Sequence, residues 1–231
     1  MANTSSENER SRRIPAMQIA IIGAGNVGRA LATSLTRAGH EVTVTAAHPE
    51  HAREAAAQTG ATAATSNAAA VGGADVVVLA VPATAFDAIA SEVGSTFVGK
   101  VVVDVSNRPT PSPDGSPTSI AEELQTKLPG AKVVKAFNTA FASRQAQPKV
   151  GGLSPDGFVA ADDESAKRTV LDVVESVGFR PVDAGSLAAS RTLEGMAWLN
   201  IQRNLAGGTW QDAWVLVGPE NLPKTTGDAR N

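Results

Sequence analysis

The chain has 231 residues, of which 42% are hydrophobic and 19% are charged, and its formal net charge is −3. At about 150 residues per domain, this length and composition predict a globular protein of one large domain or slightly more. The sequence has no basic run of the kind that nucleic-acid binding needs, and no stretch of about 18 apolar residues that would predict a membrane span.

Several residue types are missing, and each absence excludes a mechanism. There is no Cys, which excludes disulfide and thiolate chemistry and favours a cytoplasmic protein. There is no Tyr, so a tyrosine–lysine proton relay cannot operate. All three histidines, His40, His48 and His51, lie in the first quarter of the chain, which excludes a catalytic His or a His-rich metal site from the later part. The polar N-terminus does not have the apolar segment of a secretory signal.

Residues 1–15 are polar and are predicted to form a disordered tail. The apolar run 17–22 predicts a buried strand, and apolar residues at helical spacing predict a helix over 26–38 that ends at Gly39. The chain then alternates between strands and helices, with strands at 41–45, 75–81, 100–105, 132–137, 157–161 and 179–183, helices at 49–59, 119–128, 163–177 and 187–205, and an irregular loop at 108–119. Ser119 and Glu122 form a capping-box pattern. This alternation predicts an α/β fold with a doubly wound, mostly parallel sheet of seven or eight strands and a small C-terminal helical extension.

A glycine-rich segment joins the first predicted strand to the first predicted helix, with the sequence Gly23-Ala24-Gly25-Asn26-Val27-Gly28. Gly23 permits a tight turn, Gly25 lets the backbone approach a pyrophosphate, and Gly28 allows the helix to pack closely on the strand. The N-terminus of the helix adds unpaired N–H groups and positive potential. A strand before the segment and a helix after it favour dinucleotide binding over a plain glycine-rich connection.

The end of the second predicted strand would lie beside the adenine ribose, where an NAD-specific site presents Asp or Glu. This chain has Ala46-Ala47-His48 there, which leaves room for a 2′-phosphate that His48 and Arg53 could contact. The segment therefore favours NADP, although His48 and His51 could equally be solvated residues at the start of a helix. Ala80-Val81-Pro82 ends the third predicted strand and would face the nicotinamide ribose, although Pro82 is also an ordinary strand terminator.

Two later segments are not general features of dinucleotide-binding folds: Lys135-Ala136-Phe137-Asn138-Thr139 and the run 180–187, RPVDAGSL. Together with the glycine-rich segment, DVVVLAVP at 75–82 and the acidic run 161–164, they resemble the coenzyme F420-dependent NADP oxidoreductases. The resemblance extends from about residue 18 to residue 218. The same nucleotide-binding domain is also found in membrane ferric reductases.

The resemblance implies reversible hydride exchange between NADPH and the deazaflavin coenzyme F420, in a homodimer. It implies that the 23–28 turn binds the pyrophosphate, that Ala46, Ala47 and His48 bind the adenosine phosphate, and that Val81 and Pro82 border the nicotinamide. Asn138, Thr139 and Ala142 would line the pocket where the two rings stack. Archaeal members carry Ser-Arg where this chain has Ala47-His48, and they tend to carry His where it has Asn138.

The composition agrees with this chemistry, because hydride transfer between two flat heterocycles needs no protein nucleophile or general base. We expect residues 16–184 to form the NADP-binding domain, and 185–231 to contribute to a dimer interface and the cofactor pocket. Two other functions stay open: reduction by NADPH of another small acceptor, such as a flavin or an imine, and NADP(H) sensing without catalysis.

Some side chains have a structural interpretation beside the functional one. Asn138 could hold a ring carbonyl or could hydrogen-bond within its own turn. Lys135 could lie at a solvated edge or contact the acidic tail of the deazaflavin. Arg191 and Glu194 are predicted to pair on the surface of the last helix. The acids at 162–164 are predicted to cap a helix rather than bind a metal. A late apolar set predicts a packed helix and a homodimer interface, and consists of Trp198, Leu199, Ile201, Leu205, Trp210 and Trp214.

Overall fold

The computed structural model describes residues 14–108 and 118–218. Its strands are β1 (Gln18–Ile22), β2 (Glu41–Thr45), β3 (Thr62–Ala63), β4 (Val76–Leu79), β5 (Val101–Asp104), β6 (Lys132–Ala136), β7 (Asp156–Ala161) and β8 (Arg180–Gly185). Its helices are α1 (Asn26–Arg37), α2 (Pro49–Thr59), α3 (Asn67–Gly72), α4 (Phe86–Val93), α5 (Ile120–Lys127), α6 (Ala142–Ala146), α7 (Glu164–Ser176) and α8 (Ser190–Leu205).

The eight strands form one sheet in the order β3-β2-β1-β4-β5-β6-β7-β8. The strands from β3 to β6 run parallel, β7 is antiparallel to β6, and β8 is parallel to β7. The predicted α/β fold with a doubly wound, mostly parallel sheet is confirmed. The chain moves outward from β1 to β3 and then returns to place β4 beside β1. The strand order therefore reverses between β1 and β4, and folds of this kind bind ligands at the carboxyl ends of the strands there.

Both faces of the sheet are buried. In β1, Ile19 and Ile21 belong to the core cluster that includes residues of α1, α2 and α7, whereas Ala20 and Ile22 belong to the cluster that includes residues of α3, α4 and α5. Successive side chains of a strand point to opposite faces, so helices on both sides require apolar residues at every position. This explains why the buried strands are continuous apolar runs in the sequence.

Three short helices and one short strand are missing from the predicted elements. β3 has two residues, α6 has five and α3 has six, which is too short for an apolar period to be recognised. α4 was also missed. Because the short strand β3 was not predicted, the third strand of the prediction corresponds to β4 in the structure. The run predicted as a strand over 75–81 forms a strand only over Val76–Leu79, although the Ala80 N–H still donates to the Ile22 carbonyl oxygen (2.8 Å). The predicted helix 187–205 begins with a 3₁₀ turn at Leu187–Ala189.

The capping box at the start of α5 is confirmed, and it also anchors α8. The Ser119 Oγ accepts a hydrogen bond from the Glu122 N–H (3.2 Å), and a carboxylate oxygen of Glu122 accepts one from the Ser119 N–H (2.7 Å). Arg191 of α8 donates from Nε to the same carboxylate (2.8 Å). This hydrogen bond is the largest cause that lowers the pKa of Glu122 from 4.5 to about 2. The predicted Arg191–Glu194 pair is therefore wrong, since Arg191 pairs with α5.

The late apolar set is divided between the core and the surface. Trp198, Ile201 and Trp214 are partly buried, whereas Leu199, Leu205 and Trp210 are exposed. No helix in the part of the chain that the structure describes is long and apolar enough to cross a membrane. The homodimer, the cytoplasmic location and the division at residue 184 stay predictions. Most of the predicted tail, the proline-rich residues 109–117 and residues 219–231 lie outside the described residues.

The Glu122–Arg191 pair makes stability depend on pH in a defined direction. A carboxyl group whose pKa falls on folding stabilises the protein at pH values above its pKa in the unfolded state. This contribution is lost as the pH falls through its pKa in the folded state. Glu122→Gln keeps the capping box but removes the charge. Because Arg191 is half exposed, we expect a loss of about 1 kcal/mol in the free energy of unfolding at pH 7. Urea titrations should show that the difference in the free energy of unfolding between wild type and Glu122→Gln shrinks as the pH falls from 4.5 to 2. Glu175→Gln, in the exposed part of α7, is the control, and a difference that does not change with pH would contradict the assignment.

Candidate functional site

Gly23 forms the turn that follows β1 and brings two loops into contact. Its φ is +115°, a region that L side chains rarely adopt. A Cβ on Gly23 would lie 2.3 Å from the Ala80 carbonyl oxygen and 2.9 Å from the Val81 Cγ1. The loop that follows β1 therefore contacts the loop that follows β4 closely, and this contact is possible because residue 23 has no side chain. The segment of Ala80, Val81 and Pro82 accordingly lies at the point where the strand order reverses.

The next two glycines have different surroundings. A Cβ on Gly28 would lie 1.9 Å from the Gly23 carbonyl oxygen, so α1 packs on the turn only because residue 28 has no side chain. A Cβ on Gly25 would meet no atom of the described residues within 4 Å. Gly25 is the N-cap of α1, and the first turn of the helix carries no acidic residue. The turn of Ala24, Gly25 and Asn26 thus has an open side at a helix N-terminus, which is a suitable place for an anion.

The carboxyl end of β2 borders a pocket of about 220 Å³. Ala46 and Ala47 form part of its wall, and sequence reasoning missed Asn67 and Glu92 on the other side. Asn67 Nδ2 donates to a Glu92 carboxylate oxygen (2.8 Å), and the Thr45 hydroxyl donates to Asn67 Oδ1 (2.7 Å).

The two predicted phosphate contacts, His48 and Arg53, lie next to this pocket in the chain but are not part of its wall. Both side chains are exposed. His48 Nδ1 lies 3.7 Å from Glu50 Oε1, and the His48 ring lies edge-on to His51 with the ring centres 5.3 Å apart. Their role as phosphate ligands stays a prediction.

A second pocket, of about 180 Å³, lies near the start of α1, beyond the ends of β5 and β6. It brings together Val27 of the glycine-rich turn and the predicted ring-pocket residues Asn138, Thr139 and Ala142. Of its lining residues, all within the part of the chain that the structure describes, none has a charged side chain. Three further lining residues, Ala197, Ile201 and Trp210, lie in the segment 185–231 that was expected to contribute to the cofactor pocket. Sequence reasoning missed the remaining lining residues, which are Val105, Asn107, Ala140, Phe141 and Gln145. We call this cavity the ring pocket.

The Asn138 side chain joins the loop after β5 to α8 at the ring pocket. Its Nδ2 donates to Asn107 Oδ1 (2.9 Å) and to the Leu193 carbonyl oxygen (3.0 Å). A backbone carbonyl only accepts hydrogen bonds, so Leu193 fixes which end of the carboxamide is the nitrogen. Asn138 Oδ1 is buried and has no hydrogen-bond partner among the described residues. Asn138 therefore does not hydrogen-bond within its own turn, and its oxygen can still accept a hydrogen bond.

The turn before Asn138 is strained and is held by a glutamine. Phe137 has φ 61°, the left-handed region, although it is bulky and its ring is buried. Gln145 of α6 donates from Nε2 to the carbonyl oxygens of Phe137 and Ala140 (3.0 Å each). These two carbonyls fix the orientation of the carboxamide. Gln145 Oε1 is a second buried oxygen without a partner among the described residues.

A buried ionic cluster lies beside the ring pocket. Lys135 Nζ lies 2.7 Å from Asp104 Oδ2 and 3.0 Å from Glu194 Oε1, and it also donates to the Ser106 carbonyl oxygen (2.7 Å). Lys135 and Asp104 are fully buried. Burial is also the largest cause that raises the pKa of Glu194, and nearby Lys135 opposes it. Both interpretations of Lys135 as an exposed residue or a ligand contact are therefore wrong, because β6 lies in the middle of the sheet.

The acidic run after β7 caps a helix through one of its members, as predicted, whereas another member contacts a different segment. Asp163 is the N-cap of α7 and accepts a hydrogen bond from the Ala166 N–H (2.8 Å), while Asp162 accepts one from the Leu187 N–H (2.9 Å). Among the residues that the structure describes, no group of acids and histidines is suited to hold a metal ion.

Comparisons with known proteins relate this arrangement to a family. Residues 18–108 match the family model for coenzyme F420-dependent NADP oxidoreductases. The chain is 30% identical over 213 residues to the F420-dependent NADP reductase of Methanothermobacter marburgensis, and the match covers 82% of this chain and 93% of that protein. A solved structure from Arthrobacter sp. FB24, described as a candidate F420-dependent NADP reductase, has a TM-score of 0.78 at 28% identity. The match covers 88% of this chain and 100% of the Arthrobacter chain.

The chain is also similar to larger proteins. It is 33% identical over 180 residues to the metalloreductase STEAP3 of Rattus norvegicus. That match covers 78% of this chain but only 36% of STEAP3. A separate match to the human metalloreductase STEAP2 covers 35% of that protein. The chain thus spans little more than a third of the length of the metalloreductases that it matches.

The ionic cluster makes a strong prediction about stability. Lys135→Met leaves the buried carboxylate of Asp104 without its cation, and it leaves Glu194 with only Arg108, whose Nε lies 3.9 Å from Glu194 Oε2. We therefore expect a loss of about 3–5 kcal/mol in the free energy of unfolding. Lys132→Met is the matched control on the same strand, because Lys132 pairs with Asp163 near the surface and should cost about 1 kcal/mol or less. Denaturant titration measures both. Equal losses for the two variants would contradict a stabilising role for the buried cluster.

Proposed function

The chain belongs to the coenzyme F420-dependent NADP oxidoreductase family, and we propose that it transfers a hydride between NADPH and the deazaflavin F420. The observation that carries this proposal is the ring pocket, which borders the glycine-rich turn through Val27 and is lined without a charged side chain. When bound, the two cofactors supply the chemistry, since their rings donate and accept the hydride directly. The protein then has to hold two flat rings and exclude water.

The side chains of the ring pocket suit this task better than they suit the reduction of a small acid or a carbonyl. The polar groups of its lining side chains are the carboxamides of Asn107, Asn138 and Gln145, the hydroxyl of Thr139 and the indole N–H of Trp210, and none of these groups titrates near neutral pH. A small carboxylic acid would need a cation in the wall, and an unactivated carbonyl would need a proton donor. Lys135 is fully buried and paired with two carboxylates. Arg108 and Arg144 lie next to lining residues in the chain but are not part of the pocket wall, since Arg108 pairs with Glu123 and Arg144 donates to Gln211 Oε1.

The other half of the nucleotide is proposed to follow the turn toward β2. The open side of Gly25 and the N-terminus of α1 would bind the pyrophosphate, with Val81 and Pro82 bordering the nicotinamide. The pocket at Ala46 and Ala47 would take the adenosine. A 2′-phosphate there would lie near His48 and Arg53, and it would raise the pKa of a contacting imidazole and so favour its charged form.

One assay tests the proposed function against its alternatives. Purified protein, NADPH and oxidised F420 are mixed, and the absorbance band of the deazaflavin is followed. We expect the band to disappear with NADPH and to do so about tenfold less efficiently with NADH, because one charge-assisted contact to the 2′-phosphate is worth about 1.5–3 kcal/mol. Turnover with a flavin or an imine but not with F420 would replace the proposed acceptor. Tight NADP(H) binding without turnover of any acceptor would indicate a sensing protein.

Gly25 offers a test of nucleotide binding that leaves the fold intact. Its φ of −77° and ψ of −171° suit any residue, and a Cβ would point into open space. Gly25→Val should therefore keep the melting temperature while weakening NADPH binding about tenfold or more by calorimetry, because the side chain would occupy the place proposed for the pyrophosphate. Gly72→Val, which also has open space but lies at the end of α3, is the control. A Gly25→Val variant with unchanged NADPH affinity would rule out this turn as the binding site.

A further inference from the structure

The segment that follows α8 places an aromatic side chain at the ring pocket. Trp210 lies beyond the helix, lines the pocket and is 42% exposed. Its ring centre lies 5.1 Å from that of Phe141, with an angle of 63° between the ring planes. The two rings therefore meet edge to face and do not cover each other by stacking.

The backbone of Trp210 is held in an unfavourable conformation by two hydrogen bonds. Its φ is 58°, in the left-handed region that a bulky residue avoids. The Trp210 N–H donates to Asn204 Oδ1 (2.6 Å), and the Trp210 carbonyl oxygen accepts from the Ser143 hydroxyl (2.6 Å). Asn204 is buried near the end of α8, and Ser143 lies on α6. Two separate elements thus fix the direction of this residue, and a strained residue fixed in this way is a reason to look for a function.

Other contacts keep the neighbouring residues in place. Arg144 of α6 donates to Gln211 Oε1 (2.8 Å), and the Asp156 N–H of β7 donates to the Trp214 carbonyl oxygen (2.8 Å). The Trp214 side chain packs against the cluster of Phe158 and Leu193 and is not part of the ring-pocket wall. The segment therefore carries one tryptophan at the pocket and a second, partly buried one that packs against a different cluster.

We propose that the indole of Trp210 is the surface on which the planar ring of the second substrate stacks. This inference rests on the proposed function, and it adds the residue that selects the acceptor. An uncharged pocket of about 180 Å³ is smaller than the roughly 300–1,000 Å³ of a site for a whole drug-sized ligand, so it suits a ring system rather than an entire cofactor. A half-exposed indole at its edge offers a flat, rigid surface, which favours a flat heterocycle over an aliphatic imine or ketone.

The test compares the binding of F420 with the binding of NADPH in variants of Trp210. Dissociation constants of oxidised F420 are measured by fluorescence titration with NADP⁺ present, and those of NADPH by calorimetry. Trp210→Ala should weaken F420 binding about tenfold, and Trp210→Phe should restore most of it, because a phenyl ring still stacks. NADPH affinity should stay within about twofold in both variants. Trp214→Phe is the matched control on the same segment and should bind F420 like the wild type.

The outcomes test stacking on Trp210 separately from the identity of the acceptor. An unchanged F420 affinity in Trp210→Ala, or an equal loss of F420 and NADPH affinity, would overturn it. If the wild-type protein does not bind F420, the proposed acceptor fails, and the same titrations are made with riboflavin as the planar probe. A loss of riboflavin affinity confined to the Trp210→Ala variant would then uphold stacking on Trp210. Equal riboflavin binding by wild type and variant, or no binding by either, would overturn it.

Discussion

The ring pocket depends on one buried cation that joins three elements. Lys135 of β6 binds Asp104 at the end of β5 and Glu194 on α8. Three parts of the pocket wall lie a few residues from a member of this cluster: Val105 and Asn107 follow Asp104, Asn138 follows Lys135, and Ala197 and Ile201 lie three and seven residues after Glu194. Spacings of three and seven keep residues on the same face of a helix. The ionic contact that positions α8 therefore also turns that face toward the ends of the strands.

Such a cluster has a cost, because removing three charges from water is unfavourable unless nearly every hydrogen-bonding position is used. Here most of them are used. Asp104 Oδ1 accepts hydrogen bonds from the Ser106 N–H and hydroxyl, and Glu194 Oε1 accepts one from the Ile120 N–H. The arrangement holds the charges beside the pocket and leaves the pocket itself uncharged. The proposed hydride transfer between two rings would benefit from such a site, because a fixed environment needs no reorganisation when the hydride moves.

Sequence reasoning succeeded where the physical cause is local and failed where the partners are far apart. The buried strands, the capping box and the glycine-rich turn follow from neighbouring residues. Even the close approach of Gly28 to Gly23 spans only five positions. Lys135 was misjudged because its partners lie 31 and 59 residues away, and a strand pattern gives a face but no partner. Gln145 was missed because α6 has five residues. Phe137 and Trp210, the non-glycine residues with positive φ in the described part of the chain, both lie at or beside the ring pocket, where local preferences are overridden.

The two ends of the crevice act on a ligand through different forces. The side chains near β2, including His48, Arg53 and Glu50, are exposed, and salt screens charges in water within about 10 Å at 0.1 M. The ring pocket has no charge to screen, but it has the buried oxygens of Asn138 and Gln145, which have no partner among the described residues. A buried acceptor without a partner costs about 1–3 kcal/mol. A ring whose N–H donors reached these oxygens would recover that free energy, whereas a ring whose edge carries only acceptors would not. In the proposed function, discrimination between acceptors would therefore rest on hydrogen-bond geometry and packing at this end, and it should hardly respond to ionic strength.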